Sequence, residues 1–102
     1  MPQFYEAIRL TPRDFGMRAN LGQKLAASGK LAEATEQLNE ALRLDPNSAE
    51  VHNNLGLVLF ASGKEEEGIR EFSEALRLKP DLAIARNSLE RAQAQINARQ
   101  KR

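Results

Sequence analysis

The feature that most constrains this chain is a segment that occurs twice. Leu21-Gly22-Gln23-Lys24-Leu25-Ala26-Ala27-Ser28-Gly29-Lys30 returns 34 residues later as Leu55-Gly56-Leu57-Val58-Leu59-Phe60-Ala61-Ser62-Gly63-Lys64. The match extends on both sides. Asn20 pairs with Asn54, Glu33 with Glu67 and Glu40 with Glu74. Ala41-Leu42-Arg43-Leu44 recurs as Ala75-Leu76-Arg77-Leu78, and Pro46 recurs as Pro80. Self-similarity at a fixed period of this length is the mark of a stacked-repeat architecture, in which each unit buries its apolar face only against its neighbours.

Within one period the spacing is helical. Leu21, Leu25 and Ala26 share a face, and Ser28-Gly29 ends that helix, glycine supplying the left-handed cap. Lys30 to Leu44 reads as a partner helix with Leu31, Ala34, Leu38, Ala41, Leu42 and Leu44 inward. Pro46 closes the unit by pushing Asp45 out of helical geometry. The second unit follows the same plan. Asn47 with Glu50 reads as a capping box. Leu55, Leu59 and Phe60 build its first helix. Lys64 to Leu78 form its second, with Ile69, Phe72, Ala75, Leu76 and Leu78 inward. Gly68 replaces Ala34. If the site has room for a methyl, Gly68→Ala should stabilise by about 0.5–1 kcal/mol.

The ends differ from the middle. Glu6, Ala7, Arg9, Leu10 and Pro12 match Glu40, Ala41, Arg43, Leu44 and Pro46, so the pattern starts mid-unit, as in a piece of a longer array. Asp14 reads as the N-cap of the next helix. Past Pro80, Asp81 reads as the cap of a last long helix. Its pattern decays, with Glu90 where glycine is expected and Gln93 where leucine is. The expected division is residues 1–12 (second helix of a truncated repeat), 15–48 and 49–82 (full repeats) and 83–102 (capping helix with a basic tail).

These residues resemble the tetratricopeptide (TPR) repeat, a 34-residue helix–turn–helix with the pattern W-x₂-L-G-x₂-Y…A-x₃-F…P. The first unit carries Arg18, Leu21-Gly22, Leu25, Ala34, Leu38, Ala41 and Pro46. The second carries His52, Leu55-Gly56, Leu59, Gly68, Phe72, Ala75 and Pro80. The pattern's tryptophan and tyrosine are absent. The resemblance implies an all-α fold, an α-solenoid of antiparallel helix hairpins coiled as a right-handed superhelix. It also implies an interaction scaffold that binds a protein or peptide in a concave groove lined by first helices. Carried over position by position, the groove holds Gly16, Ala19, Gln23 and Ala26, then Glu50, Asn53, Leu57 and Phe60, then Ile84, Asn87 and Arg91. Gln23, Glu50, Asn53, Leu57, Phe60, Asn87 and Arg91 are the expected peptide contacts. Leu57 and Phe60 stand three apart on one helix face and form an apolar pair where the first unit has Gln23 and Ala26. A TPR subclass clamps two carboxylates. Asn54 alone fits that pattern, the other places holding Ala19, Gln23, Ile84 and Ser88, and Asn54 reads instead as a hydrogen-bonding residue between units.

Chemical sites are not indicated. Ser28-Gly29-Lys30 and Ser62-Gly63-Lys64 lack the spacing of a phosphate loop and read as turns. His52 is the sole histidine and reads as a packing residue. Glu65-Glu66-Glu67 reads as a solvated first turn that suits the helix dipole. With no nucleophile beside a base, the expectation is a non-enzyme with no cofactor and no metal. The chain has 102 residues, no cysteine and a net charge of +1, which argues against a disulfide scaffold and a dedicated nucleic-acid domain. No run has membrane-spanning length and no leader pattern precedes the repeats, so the cytoplasm is the default expectation and nothing more specific is legible. Two further readings stand beside the peptide groove. One is self-association through the truncated N-terminal helix, at Phe4, Ala7 and Ile8. The other is an accessory repeat domain of a larger enzyme such as a glycosyltransferase.

Overall fold

A computed structural model describes residues 12–100, with side chains from residue 15 onward. The fold is all-α. Five helices follow one another: α1 (Pro12–Ala27), α2 (Leu31–Leu44), α3 (Ala49–Ala61), α4 (Glu65–Leu78) and α5 (Ala83–Gln100). α1 with α2, and α3 with α4, form antiparallel hairpins, and α5 lies against α4 and α3. Residues 1–11 fall outside the described part, and with them the truncated helix and its Phe4, Ala7 and Ile8.

The turns inside both hairpins are built alike. Gly29 and Gly63 take φ values of 81° and 90°. That region is open to glycine and strained for other residues, so the Ser-Gly pairs stop the helices as expected. After α2, Asp45 is extended at φ −144° and ψ 91°, just ahead of Pro46. The caps depart from expectation in three places. Ser48, rather than Asn47, caps α3: its Oγ accepts from the Val51 N–H at 3.3 Å. Asn47 instead donates its backbone N–H to the Asp45 carboxylate at 3.1 Å. α5 begins at Ala83, so Leu82 holds the cap place and Asp81 stands one residue too early. The described part of α1 already includes Pro12 and Arg13, so Asp14 lies inside the helix and is not its cap.

The core follows the repeat pattern. Ala34, Leu38 and Ala41 of α2 pack with Val51, Leu55, Val58 and Leu59 of α3, and Phe15, Ala19, Leu25 and Ala26 cover them from α1. A smaller cluster joins Ala49, Ala75 and Ala85, where α3, α4 and α5 meet. The place held by tryptophan in the family pattern is polar in all three units, and it ties turns together. His52 Nε2 lies 2.9 Å from the Pro46 carbonyl and Nδ1 lies 2.7 Å from Glu71 Oε1. Arg86 donates to the Pro80 carbonyl at 3.0 Å, repeating the first contact. Arg18 donates to Gln37 at 3.1 Å, repeating the second.

What sets the hairpin spacing is glycine. A Cβ built on Gly22 would stand 2.7 Å from Leu38 Cγ and Cδ2. One built on Gly56 would stand 2.6 Å from Phe72 Cε1 and 2.8 Å from the Gly68 carbonyl oxygen. The large side chain of each second helix therefore rests directly on the backbone of the first. In the second hairpin the approach is closer. A Cβ on Gly56 would meet the Gly68 oxygen at 2.8 Å, whereas one on Gly22 would meet the Ala34 oxygen at 3.5 Å.

This settles the condition placed on Gly68. A Cβ there would lie 2.7 Å from the Gly56 carbonyl oxygen and 3.1 Å from the Phe60 nitrogen. Both are backbone atoms, which cannot swing aside, so there is no room for the methyl. The helix-propensity gain of Gly→Ala is about 0.5–1 kcal/mol, and overpacking typically costs about 1–3 kcal/mol. Gly68→Ala is therefore expected to lower stability, and Gly56→Ala to lower it further, since its Cβ also meets the Phe72 ring. Urea denaturation of both variants measures the effect, and a raised midpoint for Gly68→Ala would contradict the crossing geometry.

Candidate functional site

The first helices α1, α3 and α5 carry the residues expected in the groove, and the structure distributes them unevenly. Gln23, Glu50, Asn87 and Arg91 are exposed. Leu57 is 48% exposed and Ile84 49%, both large apolar side chains open to water. Phe60 is half-buried. Asn53 does not stand open: it is 2% exposed, and its Oδ1 is buried without a hydrogen-bond partner. The reason is position. α3 packs against each of the four other described helices. Its residues are covered more fully than their counterparts, half-buried Ala19 and exposed Asn87. Asn54 is half-buried and its side chain makes no hydrogen bond among the described residues, so its expected role between units is not met. Glu50 is engaged by Lys79 at 3.4 Å.

Three of the expected residues converge. Leu57, Phe60 and Arg91 border a cavity of about 400 Å³ between the C-terminal half of α3 and the face of α5. Phe72 of α4 also lines it, with Ala61 and Ala92 adding apolar surface, and Glu65, Ser88 and Gln95 completing the polar lining. Ser88, Arg91, Ala92 and Gln95 fall at helical spacing on α5, so one helix face supplies them. Sequence reasoning included Arg91 and missed its neighbours on that face, although a step of three or four residues from Arg91 reaches Ser88 and Gln95. It also missed Glu65, which reaches the cavity from the first turn of α4.

Charge in the cavity is partly settled within the protein. Arg99 donates to Glu65 Oε1 at 2.5 Å, pinning the end of α5 to the start of α4. The hydrogen bond from Arg99, with its charge, holds the Glu65 carboxyl below the usual carboxylate range. Arg91 has no ion-pair or hydrogen-bond partner among the described residues.

A second surface lies at the opposite end. Met17 is 63% exposed and Leu21 is 44% exposed, whereas their counterparts Val51 and Leu55 are 2% and 4% exposed. Val51 and Leu55 are covered because α2 packs on them. Met17, Leu21, Arg18, Asn20, Lys24 and Gln37 border a depression of about 460 Å³ on this face. At the other end Glu90 holds the place in the third unit that Gly22 and Gly56 hold in the first two, where Leu38 and Phe72 rest on bare backbone. Among the described residues there is no cluster of potential metal ligands, and no helix is long and apolar enough to cross a membrane.

An all-α array of helix hairpins, each turned by a Ser-Gly pair and each with a side chain seated on a glycine, defines a repeat solenoid. Profiles described as "TPR repeat" and "Tetratricopeptide repeat" match residues 22–63 and 49–82, and the chain belongs to the tetratricopeptide repeat family. No curated protein sequence matches it at a significant level. Among solved structures it is similar to a mutant O-GlcNAc transferase from Thermobaculum terrenum, at 35% identity and a TM-score of 0.77 over 86% of this chain. It is similar to YrrB, described as a TPR protein with an unusual peptide-binding site, at 26% identity and a TM-score of 0.73 over 87% of this chain. A MamA mutant, at 22% identity and a TM-score of 0.72 over 89% of this chain, shares the fold. The chain spans 17% of the transferase, 46% of YrrB and 66% of the MamA chain.

The Glu65–Arg99 contact gives a pH dependence with a definite sign. A carboxyl held low in the folded state contributes stability above its unfolded value and loses it as pH falls through the folded value. The end of α5 is thus expected to be held at neutral pH and released in acid, below the usual carboxylate range. Nitrogen relaxation at Arg99 Nε checks it: order should fall on acidification, and Glu65→Gln should lower it at neutral pH. Order unchanged by Glu65→Gln would show that the pair does not hold the helix end.

Proposed function

We propose that this chain is a protein-interaction module whose groove receives an extended peptide, with an apolar peptide side chain seated between Leu57 and Phe60. TPR repeats are in general non-catalytic interaction modules, and the description of YrrB as peptide-binding is consistent with that role here. The observation that carries the reading is Leu57. A leucine 48% exposed beside a cavity lined by Phe60 and Phe72 leaves apolar area that a partner can bury. Buried anchors of this kind dominate peptide interfaces, and their truncation typically costs about 1–4 kcal/mol of binding.

Phe60 is less clean as a probe. Its Cβ would lie 3.2 Å from a Cβ on Gly68, so the residue also serves the α3–α4 crossing. Leu57→Gln, which copies Gln23 of the first unit, is the better variant. Selection of peptides from a random library by the wild-type domain, followed by titration, is the test. Leu57→Gln should keep the melting temperature within a few degrees and weaken the selected peptide by about tenfold, in the range given above for anchor truncation. Unchanged binding would place the peptide elsewhere.

A second reading, association with another copy, is favoured by the exposed Met17 and Leu21. Exposed apolar surface of this kind promotes association. Sedimentation velocity over a concentration series should show association that Met17→Glu with Leu21→Glu abolishes. A concentration-independent monomer in the wild type would rule it out. The likeness to the transferase supports a third role, as accessory repeats in a longer enzyme, with the chemistry outside these residues.

A further inference from the structure

We propose that the peptide received by this groove carries an acidic side chain close to its apolar anchor, and that Arg91 holds it. The proposal rests on the peptide-groove reading and adds the chemistry of the partner. It comes from the cavity's cations and anions, taken one by one. Glu65 and Arg91 are the charged residues that line the cavity. Glu65 is already engaged by Arg99 at 2.5 Å. That leaves Arg91 as the charge in the lining without an ion pair among the described residues.

Nothing on its own helix neutralises it. Three and four residues away stand Ser88, Asn87, Ala94 and Gln95, none of them acidic. Residues at those spacings are the ones a helix side chain can reach, so Glu90 next door points away around the helix. The Ser88 hydroxyl is committed to the Ile84 carbonyl at 2.8 Å and donates nothing outward. Arg91 is exposed, so it keeps its charge hydrated until a partner arrives. Its guanidinium presents donors in a planar fork that suits a carboxylate. The same cavity supplies the apolar seat at Leu57 and Phe60. One occupant satisfies both features: a peptide with an aliphatic or aromatic residue and, within a few residues of it, aspartate or glutamate. The carboxylate meant here is a side chain within the peptide, not its C-terminus.

The probe is a library of decapeptides, N-acetylated and C-amidated to remove terminal charge, with leucine fixed near the centre and all other positions degenerate. It is selected on the wild-type domain and on Leu57→Gln, Arg91→Gln and Arg91→Glu, each first checked for an unchanged helical circular-dichroism spectrum. The wild type should enrich Asp and Glu near the fixed leucine by about two- to fivefold, the span of an exposed ion pair. High salt should erode that enrichment. Arg91→Gln should abolish the preference for acid while peptides are still retained, and Arg91→Glu should shift it to Lys and Arg. Acid enrichment that is absent in the wild type, or that survives Arg91→Gln, overturns this inference and leaves the groove reading intact. Retention of no peptides, or retention indifferent to Leu57→Gln, overturns the groove reading and this inference together.

Discussion

The structure depends on one constraint: in each hairpin a bulky side chain of the second helix must sit against bare backbone of the first. Leu38 meets Gly22 and Phe72 meets Gly56, at separations that leave no space for a methyl. Once that contact is made, the position of the two helices is fixed, and the remaining apolar residues fall into place as consequences. Ala34, Ala41 and Ala75 are fully buried because only small residues fit along a crossing drawn this tight. In the third unit Glu90 stands at the glycine place, so α5 carries a side chain where α1 and α3 present bare backbone.

The groove inherits its properties from the same contact. Close hairpins set the first helices side by side, and the central one, α3, is enclosed on its flanks. Enclosure buries Asn53, whose Oδ1 meets no hydrogen-bond partner among the described residues. It also brings Leu57 and Phe60 to a cleft whose lining includes Phe72, the residue seated on Gly56. One ring thus serves the fold and borders the candidate binding cavity. The polar residues at the family's tryptophan place supply a second set of ties, with His52 and Arg86 each reaching a proline carbonyl of the preceding unit. These bind unit to unit at the turns, away from the cavity.

Much of this was legible in the sequence, because repetition multiplies each local signal. Period, turns and inward faces each occur twice, so a chance pattern is easily rejected. What was not legible depended on distances of a few tenths of an ångström or on coverage by other helices. Gly68 and Ala34 are equivalent in the pattern, yet only the geometry shows that Gly68 touches the Gly56 carbonyl. Asn53 and Asn87 share a register, and burial separates them because α3 packs against four helices and α5 against two among the described residues. Ser48 and Asn47 are both competent caps, and the choice between them turned on where the Asp45 carboxylate drew the Asn47 N–H. Leu21 reads as core by pattern, yet it and Met17 are exposed, whereas their counterparts Leu55 and Val51 are buried against α2.

The central claim is that the cleft between α3 and α5 is where a partner binds. Chemical-shift mapping tests it most directly: the nitrogen-15-labelled domain is titrated with one selected peptide, and the amide shifts are followed residue by residue. The account predicts that the largest shifts fall on Leu57, Phe60, Ala61, Ser88, Arg91 and Gln95. Largest shifts at Met17, Leu21 and Lys24, or on the exposed outer faces of α2 and α4, with the cleft unmoved, would contradict it.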